Sequence, residues 1–212
     1  MSSIKLIPTS GGGSVSLVPP NSTSGSNVTI TLPTISQTLP VGPVLEQFYT
    51  LCDGVSVTVP SGTYSIPTVS TGQDGTSSYV DLTGSSISYV PPSGTSTVIY
   101  KFDFQLSGDG DAHPIGHFKF FMDSDEVVYA RMTNSSYHDS YFVTFAYPIP
   151  IGGTANTNTG RVASWTSAKT LKMQYREYGG SWETKVHETK YWDGADSTQF
   201  VIPRIGITAL NT

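Results

Sequence analysis

Ser85–Ser107 reads SSISYVPPSGTSTVIYKFDFQLS. It holds a short β pattern, a Pro91-Pro92 pair, a flexible SGTST turn and then one long strand. In that strand Val98, Tyr100, Phe102, Phe104 and Leu106 take alternate positions, with Lys101, Asp103 and Gln105 between them. A strand repeats every two residues, so strict alternation of β-branched and aromatic side chains marks a half-buried strand of an antiparallel sheet. The chain before the prolines is rich in Gly, Ser, Thr and Pro, and the chain after them is aromatic and strand-dense. The stretch therefore reads as the joint between a turn-rich half and a main domain.

Further strand candidates follow at Gly116–Met122, Glu126–Met132, Tyr141–Tyr147, Thr170–Glu177, Glu183–Tyr191 and Phe200–Leu210. No helical 3.6 period interrupts them, and a run of strands without helices implies a sandwich. The expected fold is all-β: an antiparallel, jelly-roll-like β-sandwich preceded by short-stranded β segments. The last strand places Ile205, Ile207 and Ala209 on one face and is apolar on nearly all sides, as in a central strand. Three regions are expected: 1–42 as an attachment or intertwining segment, 43–95 as a small β module, and 96–212 as the head. Within 1–42, GGSVSLVPP and SNVTITLP echo each other, and strands so short bury too little to stand alone. Within 43–95, Asp53-Gly54 and Asp74-Gly75 are turn signals, and Val44–Leu51 is the one piece also compatible with a helix.

The totals exclude several classes. Charged residues make up 13% of the 212, about half the usual share, and Ser, Thr, Gly and Asn take their place. A net charge of −5 without a basic cluster argues against nucleic acid as a partner. No apolar run approaches the roughly 20 residues that span a bilayer, so membrane insertion is not expected. The opening MSSIKLIPTSGGG lacks the charged start and apolar core of a secretory signal, which implies synthesis in a cytoplasm. The single cysteine, Cys52, alternates with Phe48 and Thr50 and reads as a small buried hydrophobe.

Catalytic and metal chemistry find little support. The loop SGDGDAHPIGH holds Asp109, Asp111, His113 and His117, but it has neither the calcium-loop spacing nor that of a zinc site. No serine sits in a nucleophile-elbow context and no carboxylate pair is marked for glycoside hydrolysis. No enzyme activity, cofactor or metal is expected. Loop aromatics are the more informative class: Tyr137, His138 and Tyr141, then Tyr178, Trp182, Tyr191 and Trp192. Such rings stack on sugars or anchor protein interfaces, whereas a Trp at a sandwich end can equally cap the core.

The phrases SSISYVPPSGTSTVIYKFDFQ, GHFKFFMDSDEVVYARMT, GRVASWTSAKTLKMQYREYGGSWETKVHETKYWDG and PRIGITAL resemble a recurrent domain of marine bacteriophage structural proteins, found in tail fibres and other appendages. GGSVSLVPPNSTSGSNVTITLP is similar to the short repeat that opens many phage fibre domains. The resemblance implies a trimeric jelly roll like the C1q/TNF head, located in the virion and partnered by its own copies and by other virion proteins. It carries over no active site. Host-receptor contact, with a cell-surface glycan as partner, is expected through Tyr137, His138, Tyr141, Asn156 and Asn158. The other expectation is a capsid or tail decoration protein with an assembly role and no receptor.

Overall fold

The computed structural model describes residues 4–6, 15–17, 43–108, 113–135, 140–179, 182–194 and 197–212. The chain divides into two compact units, Met1–Pro40 and Val41–Thr212. In the first, β1 (Ile4–Leu6) pairs antiparallel with β2 (Val15–Leu17), Ile4 opposite Leu17. β2 lies inside the phrase GGSVSLVPP, while its echo SNVTITLP falls outside the described residues.

The second unit is a sandwich of two six-stranded sheets with small hairpins attached. Its early strands are β3 (Val44–Leu51), β4 (Ser56–Val59), β5 (Gly62–Ser65), β6 (Gln73–Asp74), β7 (Val80–Asp81) and β8 (Ile87–Tyr89). Then come β9 (Thr97–Ser107), β10 (Ile115–Met122), β11 (Asp125–Glu126), β12 (Met132–Ser135) and β13 (Tyr141–Pro150). β14 (Lys169–Glu177), β15 (Lys185–Val186), β16 (Glu188–Lys190), β17 (Thr198–Phe200) and β18 (Arg204–Leu210) complete it. Among the described residues the only helical pieces are 3₁₀ turns at Val128–Ala130 and Thr157–Thr159, and none is long and apolar enough to cross a membrane. Every pairing between these strands is antiparallel.

β9 is the spine of one sheet. One edge bonds β13 from Thr97 to Leu106; the other bonds β18 from Thr97 to Asp103 and then β15 at Leu106 and Ser107. β3 adds to the far side of β18. In the facing sheet β10 pairs with β14 on one side and with β11 and β12 on the other, and β14 carries β7 and β8. The alternation read from the sequence is the reason they pack. Val98, Tyr100, Phe102, Phe104 and Leu106 are all fully buried. They meet Phe118, Phe120 and Met122 from β10 and Leu171, Met173 and Tyr175 from β14. Tyr100 lies 5.0 Å from Phe120 and Phe104 5.3 Å from Phe118, ring centre to ring centre, so aromatic pairs span the two layers.

The structure gives the Pro91-Pro92 pair a different role from a joint between halves. β8 belongs to the β14 sheet and β9 to the other, so the prolines carry the chain across the sandwich. Thr95 closes that corner by bonding the Pro92 carbonyl through its N–H and its hydroxyl. Residues 43–95 are woven into both sheets through β3, β6, β7 and β8, within the same compact unit as the head. The physical reason is that β3, β6, β7 and β8 are too short to form a sheet among themselves and take their backbone partners from β18, β15 and β14, later in the chain. Val44–Leu51 is strand β3, and Asp74-Gly75 is no hairpin tip. Asp74 pairs with Lys185, and Gly75 N–H donates to Thr184 O at 2.6 Å. A Cβ at Gly75 would stand 2.6 Å from that same carbonyl, which explains glycine there.

Two expected strands are broken. Glu126–Met132 contains the 3₁₀ turn at Val128–Ala130, which buries Ala130 and leaves Tyr129 70% exposed. Glu183–Tyr191 is split between β15 and β16 by His187, whose φ of 66° departs from extended backbone. Cys52 is fully buried, its thiol 3.4 Å from Gly84 O and pushed up to about 12, first by burial and then by Asp53.

Candidate functional site

Two surfaces of the sandwich concentrate groups that a packed core does not use. The first is the outer face of the sheet β13-β9-β18-β3. The register sets Ala146, Lys101, Gly206 and Tyr49 side by side across the four strands, with Thr144, Asp103, Arg204 and Leu51 in the next row. Tyr49 folds its ring over Gly206, where a Cβ would come within 2.8 Å of Tyr49 Cδ2. The Tyr49 hydroxyl donates to Asp103, and Lys101 completes an ion pair with that carboxylate at 3.0 Å. Burial, then the bond to Asp103, pushes the Tyr49 phenol above its usual range. Lys101 lies over the Tyr49 ring at 4.6 Å, and Arg204 over Phe142 at 5.2 Å. Val44, Tyr49, Leu51 and Phe142 are all at least 40% exposed. This face is mixed: exposed aromatic and apolar side chains alternate with Lys101, Arg204 and the buried Asp103.

The second surface is the outer face of the other sheet, where β10 begins and β14 ends. His117 stands opposite Arg176 on one side and Thr133 on the other. Alternation sends Phe118 and Phe120 inward and leaves His117, Lys119 and Phe121 outside, as the sequence implies. Tyr178 continues the outer row of β14, and its N–H is tied to Ile115 O at 2.9 Å. The His117 and Tyr178 rings are 5.8 Å apart, Tyr178 and Trp182 are 6.3 Å apart, and Trp182 and His113 are 5.8 Å apart. His117 Nδ1 is 3.2 Å from Thr133 Oγ1. Burial and, second, the Arg176 guanidinium hold the His117 imidazole below its ordinary pKa. Arg176 and Lys119 sit against the ring of Tyr79, at 5.5 and 4.3 Å. Lys119 is paired with Glu126 at 3.0 Å, whereas Arg176 has no carboxylate partner among the described residues.

The sequence-derived contact residues are placed unevenly. Tyr137 and His138 lie outside the described residues, as do Asp109 and Asp111. Tyr141 opens β13 opposite Leu106, and burial pushes its phenol up to about 12. Asn156 and Asn158 are exposed, and Asn156 Oδ1 accepts from Asn158 N–H at 3.0 Å as the cap of the second 3₁₀ turn. These residues are not brought together with the Tyr178–Trp182 cluster by any described contact. Of the tryptophans, Trp165 caps the core at 5% exposure with its indole N–H on Tyr89 O, and Trp192 is 71% exposed. The Arg176–Tyr79 pairing leaves no signal in the sequence, since the two residues are far apart in the chain.

The interior also holds a carboxylate. Glu46 is 5% exposed and accepts from Ser61 N–H, the Ser61 hydroxyl and the Tyr89 hydroxyl at 2.9, 2.6 and 2.5 Å. It ties β3 to the β4–β5 turn and to β8, which is a structural use. Among the described residues no group of three or more His, Cys, Asp or Glu is arranged to hold a metal ion.

No family model matches the sequence, and no curated protein matches it. Two structures of infectious bursal disease virus match in shape. The Gx strain structure is 12% identical over 97% of this chain and 50% of its own, with a TM-score of 0.37. The Gt strain structure is 10% identical over 85% and 50%, with a TM-score of 0.24. The chain thus spans half the length of the structures it matches, and at these TM-scores the likeness carries no argument about function.

Proposed function

We propose that this chain is a structural component of a bacteriophage virion, a non-enzymatic β head carried on a tail fibre or other appendage that assembles as a homotrimer and contacts the host surface. The observation that supports this most is the outer face of β13-β9-β18-β3. It leaves Val44, Tyr49, Leu51 and Phe142 in solvent on one sheet face, while Asp103 beneath them is 3% exposed and already bonded. Large apolar side chains left in solvent on one face of a rigid sheet, set around an ion-paired acid, suit a surface that other copies or virion proteins cover. A chain in which only 13% of residues are charged suits display outside a cell, and repeated copies would add weak contacts into firm attachment.

Two measurements test the reading. Electron microscopy of particles carrying an epitope-tagged copy should place the label on the tail or its appendages. A continuous shell of label around the head would support the decoration role instead, and its absence from particles would refute a virion role. Sedimentation equilibrium at micromolar concentration should give a trimer, and Phe142→Lys with Leu51→Lys should shift the protein toward monomer. A wild-type monomer would overturn the assembly surface.

A further inference from the structure

The rows around His117 carry chemistry that packing does not explain. Arg176 is a guanidinium without a described carboxylate partner in a protein whose net charge is −5. Its described contacts include a carbonyl, Glu177 O at 3.3 Å, and the Tyr79 ring at 5.5 Å. A stacked guanidinium keeps N–H groups available for a planar acid, since arginine bonds carboxylates two atoms to two. Beside it, two residues further along the chain, Tyr178 is 58% exposed, and its ring leads through Trp182 to His113. Tyr178 is attached by its backbone to Ile115 O, so the ring is offered on a fixed strand end rather than on a free loop.

We infer that Arg176 and Tyr178, with Trp182 and His113 beyond them and His117 packed beneath Tyr178, form a binding site for an acidic saccharide, a sugar ring that bears a carboxylate. The carboxylate pairs with Arg176 and the apolar C–H face of the sugar ring lies on Tyr178, while His117, its Nε2 buried and its Nδ1 beside Thr133, packs under the Tyr178 ring at 5.8 Å and holds it in place. The pattern separates this ligand from its neighbours in chemistry. A neutral sugar leaves the guanidinium unmatched, and an acidic peptide has no flat C–H face to set on the exposed phenol. A nucleic acid would need several cations, and Lys119, the other cation at the Tyr79 ring, is already neutralised by Glu126 at 3.0 Å. The inference rests on the host-surface part of the proposed function and names the ligand class and the place.

The test is titration of the full chain with glucuronic acid, glucose and a poly-glutamate peptide, followed by NMR of the histidine ring protons and by isothermal calorimetry. A single ring on an open surface is expected to bind with a Kd of about 1 mM, and glucuronic acid about tenfold more tightly than glucose. The His117 ring signals should move on titration. Arg176→Ala should remove the preference for the acid over glucose, Arg176→Lys should restore part of it, and Tyr178→Ala should weaken both sugars. Tyr178 is exposed, so its loss leaves folding intact, which circular dichroism checks. Equal binding of glucose and glucuronic acid would overturn the inference. So would undiminished binding in Arg176→Ala and Tyr178→Ala, tighter binding of the peptide, or no binding at about 50 mM sugar, far above the expected Kd. Particle microscopy separates the two failures: a labelled appendage with no sugar binding sinks the site alone, and sugar binding by a protein missing from particles sinks only the virion reading.

Discussion

Acidification should weaken the sandwich through one residue, His187. It is fully buried, and its left-handed backbone, φ 66°, turns the chain between β15 and β16. Its Nε2 lies 3.0 Å from the Thr83 carbonyl and 3.1 Å from the Thr83 hydroxyl, so Nε2–H donates and the neutral tautomer is held. The Nδ1 atom is buried without a partner among the described residues, and the ring meets Phe102 at 6.3 Å and Phe104 at 6.4 Å edge-on. A proton on Nδ1 would place a charge among phenyl rings. Burial accordingly lowers the His187 pKa to about 4, and the bond to the Thr83 carbonyl opposes it. In the unfolded chain the imidazole titrates near about 6.5. The unfolded state therefore takes up the proton first as pH falls, so the protein is fully stable above about pH 6.5 and loses stability between there and pH 4. At about 1.4 kcal/mol per tenfold in proton affinity, the total loss is roughly 3 kcal/mol, of which about 2 kcal/mol has gone by pH 5. Urea unfolding at pH 7 and pH 5 measures it, with His187→Asn as the control, because Asn tolerates the left-handed backbone. The variant is less stable at pH 7 but should lack this increment of acid sensitivity, while His113 and His117 remain. An identical pH 7 to pH 5 loss in both proteins would refute the reasoning.

Further outcomes follow from the core and the sheet face. Phe120→Ala removes the ring that meets Tyr100 at 5.0 Å, Phe145 at 5.4 Å and Tyr147 at 5.7 Å, and should cost about 3–5 kcal/mol in denaturant unfolding; a loss under about 1 kcal/mol would mean the two layers are not joined there. Glu46→Gln sets an amide N–H₂ against donors from Ser61 and Tyr89, and a loss of about 1–3 kcal/mol is expected by the same assay. Gly206→Val places a branched side chain where a Cβ already comes within 2.8 Å of Phe48 O. It should part β18 from β3, seen as faster amide hydrogen exchange at the β3 residues paired with β18, Gln47 and Tyr49 among them; unchanged protection would count against the pairing of Gly206 with Tyr49.

Much of the architecture was legible because strand periodicity is a local property. Alternation along Val98–Leu106 shows on the chain itself, and those residues are the buried spine. The faces of β10 and the buried Cys52 follow from the same logic. The candidate surfaces were less legible. Tyr178 and Trp182 stand out as loop aromatics, but nothing in their spacing announces Arg176 stacked on Tyr79, or Tyr49 lying on Gly206 and bonded to Asp103. Those contacts join residues separated by half the chain or more in some cases, and only the strand order brings them together.

Alternation along the chain is enough to establish the all-β character and which side chains of β9, β10 and β18 face the core, since pleat and period act on neighbours in the chain. The tertiary structure alone decided where the chain changes sheets. Pro91-Pro92 marks a corner between two sheets of one unit because β8 finds its partner in β14 and β9 finds its partners in β13 and β18. It also decided that His187 interrupts a strand and that Arg176 is left beside exposed rings. Pairing across long stretches of chain depends on the combined burial of both partners, which no single segment encodes.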